Sequence, residues 1–286
     1  MFDELDMPET RSPPISFSQI NPMKPTVLYR ALVIAACTAA VAHAQSVSQQ
    51  TISTDRPGLL FGTSIVPTGF LQIESGDLTF QNSDIPGGNS SLLSTPTFLR
   101  YGLCDSFEVQ MGASPFNRLT ARSFGRNQSV SGTGDIQVGA KFALQQGTAS
   151  TPAITLVGFV TTPTGNSAFS GGRPAYNINA VVAWQLDNDS NLSTMISDTR
   201  VPISGGRYAD SGTLAASVSH SFSARLGFYV EAGYFPGISH SADTGLAGGG
   251  VTYLLTNHLQ VDGYFDVGLS NASLNSMVGT GISFLF

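Results

Sequence analysis

A period of two organises the sequence after residue 69. In the stretch from Leu259 to Leu269, the side chains of Leu259, Val261, Phe265, Val267 and Leu269 fall on one face, with Gln260, Asp262, Tyr264 and Asp266 on the other. Successive side chains of a strand point to opposite faces, so this pattern marks strands whose two faces meet different surroundings. Leu226 to Tyr234 has the same form, and Phe107, Val109 and Met111 likewise oppose Glu108, Gln110 and Gly112. Twelve such segments are readable, at about 70–81, 92–103, 106–115, 132–145, 152–163, 175–186, 190–200, 210–222, 226–236, 243–254, 259–269 and 276–286. The segment at 152–163 alternates poorly, which leaves its faces open.

The connections carry as much information as the strands. Gaps of two, six, three, three and four residues alternate with gaps of 10, 16, 11, 9, 6 and 6. Outer-membrane barrels join their strands by short periplasmic turns on one rim and longer extracellular loops on the other. The expected fold is therefore all-β: a 12-stranded antiparallel up-and-down transmembrane β-barrel of outer-membrane type, spanning 70–286. The chain ends in Ile282-Ser283-Phe284-Leu285-Phe286, and a terminal aromatic strand of this kind is expected to engage the outer-membrane barrel assembly machinery through Phe286.

A secreted β-sandwich would show the same alternation, but its solvent face would be rich in charge. Only 11% of this chain is charged, and after residue 44 the single lysine is Lys141. The non-apolar strand faces are mostly Ser, Thr, Gly, Asn and Gln. In a barrel the apolar faces meet lipid and the polar faces line the interior, because closure satisfies every backbone hydrogen bond without an edge. Glu74, Arg100, Glu108, Asp135, Lys141, Glu231, Asp262 and Asp266 are then the expected lumen-lining residues. They would form either a salt-bridge network that stiffens the wall or a constriction selecting cationic or hydrogen-bonding solutes. Tyr101, Phe107, Trp184, Tyr253, Phe284 and Phe286, near strand ends, fit interfacial girdles.

Upstream, Met23 to Ala44 has Lys24 and Arg30 ahead of a short apolar core and Ala42-His43-Ala44, the form of a secretory signal peptide cleaved near Ala44. The core is shorter than the roughly 20 residues a spanning helix needs. Ile34-Ala35-Ala36-Cys37 resembles a lipoprotein box, but the apolar run continues past Cys37. Residues 1–22, acidic and Pro-containing, read as an extension upstream of the true start. Residues 45–69 form a periplasmic lead-in or a plug folded into the barrel; they hold the charged pair Asp55-Arg56 and the apolar patch Leu59-Leu60-Phe61.

Catalytic and cofactor chemistry finds no foothold. Gly-x-Ser-x-Gly, His-Glu-x-x-His, Walker A and Cys-x-x-Cys are missing from the sequence. His220, His240 and His258 are too scattered for one site, and His220-Ser221 points to opposite faces. The Gly-rich run from Gly245 lies inside a strand, where glycine relieves crowding. A net charge of -6 without a basic cluster excludes nucleic acid as a partner. No cofactor or metal is expected; the partners are membrane lipid and a small-molecule solute.

Three stretches point to a family. STDRPGLLFGTSIVPTGFLQIESG from Ser53, TPTFLRYGLCDSFEVQMG from Thr95 and GTGDIQVGAKFAL from Gly132 resemble the phenol meta-pathway degradation family of outer-membrane barrels. Asp55, Arg56, Gln72, Glu74, Arg100, Asp135 and Lys141 occupy its motif positions. The resemblance implies passive uptake of a small, aromatic or hydrophobic solute across the outer membrane of a Gram-negative bacterium. The alternative is a structural or surface-exposed barrel without transport, whose long loops, Phe116 to Ser131 and Thr164 to Pro174, bind partners.

Overall fold

The computed structural model of the protein describes residues 50–238 and 241–286. The expected extension at 1–22, the leader at 23–44 with Cys37 and Ala44, and His240 lie outside the described residues. Fifteen strand segments follow one another: β1 (Leu71–Ile85), β2 (Gly88–Ser94), β3 (Thr97–Cys104), β4 (Phe107–Ala113), β5 (Asn117–Ser123), β6 (Arg126–Gly132), β7 (Ile136–Gln145), β8 (Ala153–Thr162), β9 (Ala175–Gln185), β10 (Ser190–Pro202), β11 (Tyr208–Ser221), β12 (Leu226–Phe235), β13 (Thr244–Thr256), β14 (Leu259–Gly268) and β15 (Ser276–Leu285). All pair antiparallel, and β15 returns to β1 with Gln72 opposite Leu285 and Phe80 opposite Val278, which closes the sheet.

Twelve of these segments, β1, β3, β4 and β7 to β15, form the closed wall. The other three, β2, β5 and β6, stand above β3, β4 and β7 as a second storey on the long-loop rim, with β2 paired to the upper half of β1. Phe116 to Ser131 is thus a paired β-hairpin, not the long loop expected, and residues 82–91 are likewise strand and tight turn. The alternation signal is weak there because the outward face is wholly polar and the inward face offers only Leu119, Ala121 and Val130 as apolar residues.

Burial is inverted relative to a water-soluble domain. Ile178, Ile196 and Leu269 are 56%, 59% and 60% exposed, whereas Arg100 is 1% and Lys141 0% exposed. Apolar side chains belong on the outer surface when the solvent is hydrocarbon, and charges turn inward to find partners. Tyr101, Trp184 and Tyr253 are exposed near the short-turn rim, where amphipathic rings suit the membrane boundary. Strand β8 resolves its faces: Thr155, Val157 and Phe159 are buried and point inward, although two of them are apolar. Among the described residues no helix is long and apolar enough to cross a membrane.

Candidate functional site

The lumen is occupied by the chain's own residues 50–69, the segment that precedes β1. It starts at the short-turn rim, where Ile52 N donates to Asn257 O at 2.7 Å, and returns to that rim, where Gly69 N donates to Gly102 O at 2.8 Å before β1 begins. A segment without a sheet to pair with must still satisfy its backbone groups, and inward-facing side chains of the wall do this. Glu74 accepts from Asp55 N at 3.1 and 3.0 Å and from Arg56 N at 3.0 Å. Glu108 accepts from Val66 N at 2.6 Å and Glu231 from Leu59 N at 2.8 Å. Three expected lumen residues therefore work as backbone acceptors for this segment.

One flank of the segment is electrostatically paired. Arg100 donates from Nε and Nη2 to the two oxygens of Glu108 at 2.7 and 3.1 Å, and from Nη1 to Glu74 at 2.7 Å. It also reaches the carbonyls of Ser53 and Ser64, at 3.2 and 3.1 Å. Lys141 Nζ lies between Asp55 and the carbonyls of Gly62 and Ser64, at 3.0 and 3.3 Å. Gln72 and Gln110 add amide donors to Glu74 and Glu108, at 2.7 and 2.6 Å. Burial opposes ionisation of Asp55, but Arg100 and Lys141 beside it more than offset that cost and hold its carboxyl below the usual value.

The other flank is acidic. Arg56 Nη2 bonds Asp262 Oδ1 at 3.1 Å and the Thr280 carbonyl at 3.3 Å. Among the described residues, the second oxygens of Glu231 and Asp262 and both oxygens of Asp266 meet no protein donor. Glu231 and Asp266 stand on either side of Gly248, in register with it, and a Cβ there would fall 2.1 Å from Asp266 Oδ1. Among the described residues no three acidic, His or Cys groups are placed to hold a metal ion. Asp135 sits apart, at the long-loop mouth, where its two oxygens accept from Gly165 N at 2.8 Å and Gly171 N at 3.1 Å. It tethers the 163–174 loop.

The apolar patch of the segment faces a third sector of wall. Leu60 and Phe61 pack on Val181, Met195 and Ala215, and the Phe61 ring lies 5.6 Å from Phe159, which meets Phe98 edge-on at 6.1 Å. Two cavities share the segment as a wall. One, of about 240 Å³, is lined by Leu59, Leu60, Phe61, Phe98, Tyr264 and Met277 together with the charged Asp55, Arg56 and Glu74. The other, of about 320 Å³, opens among Ile52, Ser193, Ser217, Ser219, Thr252 and Gln260 toward the short-turn rim. The sequence pattern put Tyr264 on an inward face but gave no reason to group it with Phe98 and Met277; those residues lie on three different strands and only barrel closure brings them together. Outside the lumen, His220 Nδ1 pairs with Ser190 Oγ at 2.9 Å and its ring meets the stacked Phe222 and Phe228 rings edge-on.

A closed antiparallel wall with an apolar exterior, charged interior and alternating turn lengths defines an outer-membrane β-barrel. Residues 54–286 match the family model described as "Putative MetA-pathway of phenol degradation", and the chain belongs to that family. Among solved structures it is similar to an outer membrane channel from Pseudomonas putida F1, at 15% identity and TM-score 0.64, over 81% of this chain and 99% of that one. It is also similar to the NanC porin, at 13% identity and TM-score 0.51, over 75% of this chain and 98% of that one. At such identities the likeness establishes the fold. No curated protein matches the chain.

Proposed function

We propose that the protein is a non-enzymatic outer-membrane channel for passive entry of a small aromatic solute, with residues 50–69 acting as a plug that divides its lumen. The observation that carries this reading is the cavity of about 240 Å³ bounded by Phe61, Phe98 and Tyr264 on the long-loop side of the plug. An apolar cavity of about 150 Å³ is enough to hold a benzene ring, so a single-ring solute fits. The family's description, which names phenol degradation, supports an aromatic solute, and the similarity to an outer membrane channel supports a channel.

In this reading Glu74, Arg100 and Lys141 anchor the plug through Asp55 and Glu108 anchors it through Val66 N, while Asp135 holds the mouth loop. Glu231, Asp262 and Asp266 line the conducting side, with Arg56 the contact between plug and path. Cleavage near Ala44 fits the position of Ile52 at the short-turn rim, which faces the periplasm in barrels of this kind. The exposure of Phe286 at the end of the closing strand supports its recognition by the assembly machinery.

Planar-bilayer recording tests this directly. Discrete conductance steps with cation preference are expected, and the preference should fall when Asp262 and Asp266 are both replaced by Asn. A single-ring aromatic added on the long-loop side should raise current noise in the wild type and less so in Phe61→Ala. Electrical silence from a folded barrel, with no aromatic uptake in porin-depleted cells, would overturn the proposal and favour a structural barrel.

A further inference from the structure

The second storey presents an outward face that continues the lipid-facing wall. The row Phe80, Leu93, Arg118, Ser131 runs across β1, β2, β5 and β6 and is apolar only over β1 and β2. Above it stand two polar rows: Asn82, Ser91, Thr120, Ser129, then Asp84, Asn89, Arg122, Asn127. Phe80 is exposed and Thr79, its inward neighbour, buried, which fixes the side on which these rows lie. At about 3.3 Å per residue the two polar rows lie roughly 7 and 13 Å further along the strands than Phe80, and less than that in height because barrel strands tilt by roughly 35–45°. This is the height of the lipid headgroups, not of bulk water.

The charge on this face is one-sided. Arg118 and Arg122 are exposed, and among the described residues neither has a carboxylate within ion-pair distance. The one acid on the face, Asp84, is held by Asn275, whose Nδ2 donates to it at 2.9 Å. Arg118 Nε donates to Ser129 Oγ at 3.2 Å. Four residues apart on one strand, the two arginines start roughly 13 Å from each other, with hydroxyls of Ser91, Thr120 and Ser129 between them.

We propose that this face docks the headgroup of a phosphorylated glycolipid of the outer leaflet, with Arg118 and Arg122 each taking a phosphate and the hydroxyl row taking the sugar. Guanidinium groups bind phosphate through paired, charge-assisted hydrogen bonds. Continuity with the lipid-facing wall selects a membrane lipid over a soluble anion, because acyl chains attached to the bound headgroup would lie along Phe80 and Leu93. A headgroup with two phosphates fits the spacing better than one with a single phosphate.

The test is native mass spectrometry of the folded full-length protein in detergent, titrated with lipid A carrying two, one or no phosphates. Adduct formation is expected to fall in that order, and R118Q/R122Q is expected to weaken the two-phosphate adduct about tenfold or more. R225Q, at the opposite rim, should leave it unchanged. Equal binding of the phosphate-free lipid overturns the proposal, as does a double variant that binds like wild type. Displacement by millimolar inorganic phosphate alone would assign the arginines to a free anion and overturn the lipid assignment. Should the double variant not fold, the phosphate series on the wild type decides alone.

Discussion

The Lys141 ammonium reaches both carboxylate oxygens of Asp55, at 2.5 and 2.8 Å, and so ties strand β7 to the plug across the lumen. Both side chains are shielded from water, Lys141 wholly and Asp55 to 12% exposure. Removing one partner strands the other in a poorly solvated site, a loss on the order of 3–5 kcal/mol for a buried pair. K141M is expected to loosen residues 54–64 and raise single-channel conductance while the barrel itself stays folded. Unchanged conductance with unchanged protease resistance of the plug would remove Lys141 from any anchoring role.

The Asp55 contact also sets a pH window. Its folded carboxyl lies below the usual value of 3.8, so its contribution to plug retention is fully present above pH 3.8 and is lost only as pH falls through the lower, folded value. Conductance steps attributable to plug release should therefore be absent between pH 7 and 4 and emerge only in stronger acid. Release near pH 5 to 6 would mean that another group controls the plug.

Arg100 is the centre of the paired flank, since its guanidinium reaches Glu74, Glu108 and two plug carbonyls at once. A lysine keeps the charge but cannot supply the forked donor geometry. R100K should lower the temperature at which the folded barrel band converts to the unfolded one on gels, and R100A should lower it further, with the Glu74 and Glu108 charges left uncompensated. Equal behaviour of the two variants would show that charge alone matters at this position.

Much of this architecture is legible in the sequence because the bilayer imposes it. Asp262 and Asp266 could be read as inward from Val261, Phe265 and Val267 alone, since lipid tolerates only the apolar set. Strand β8 resisted the same reading for a physical reason. Its inward residues Val157 and Phe159 lie on the sector that receives the plug's Leu60 and Phe61, so both of its faces are apolar and the period of two disappears. The second storey was unreadable for the opposite cause, since β5 and β6 are polar throughout except for Leu119, Ala121 and Val130. Within the plug, Asp55, Arg56 and the apolar patch were visible as unusual residues, but which wall charge each would meet depends on closure between strands far apart in sequence.

The glycines opposite the acidic flank offer a separate test of how that flank is built. A Cβ on Gly248 would lie 2.1 Å from Asp266 Oδ1 and 2.2 Å from the Phe265 carbonyl, while one on Gly158 would meet nothing closer than 3.7 Å. A contact with backbone cannot be relieved by a rotamer change, so at Gly248 the β13–β14 pairing must shift or Asp266 must leave its position. Overpacking of this kind costs roughly 1–3 kcal/mol. G248A should therefore lower the gel-shift unfolding temperature and, if Asp266 lies on the conducting path, change cation preference as well. G158A should do neither, because alanine there adds only ordinary contacts on a wall where strand propensity favours a side chain over glycine. A G248A barrel with reduced stability but unchanged selectivity would take Asp266 off the path and leave Asp262 as the residue to examine.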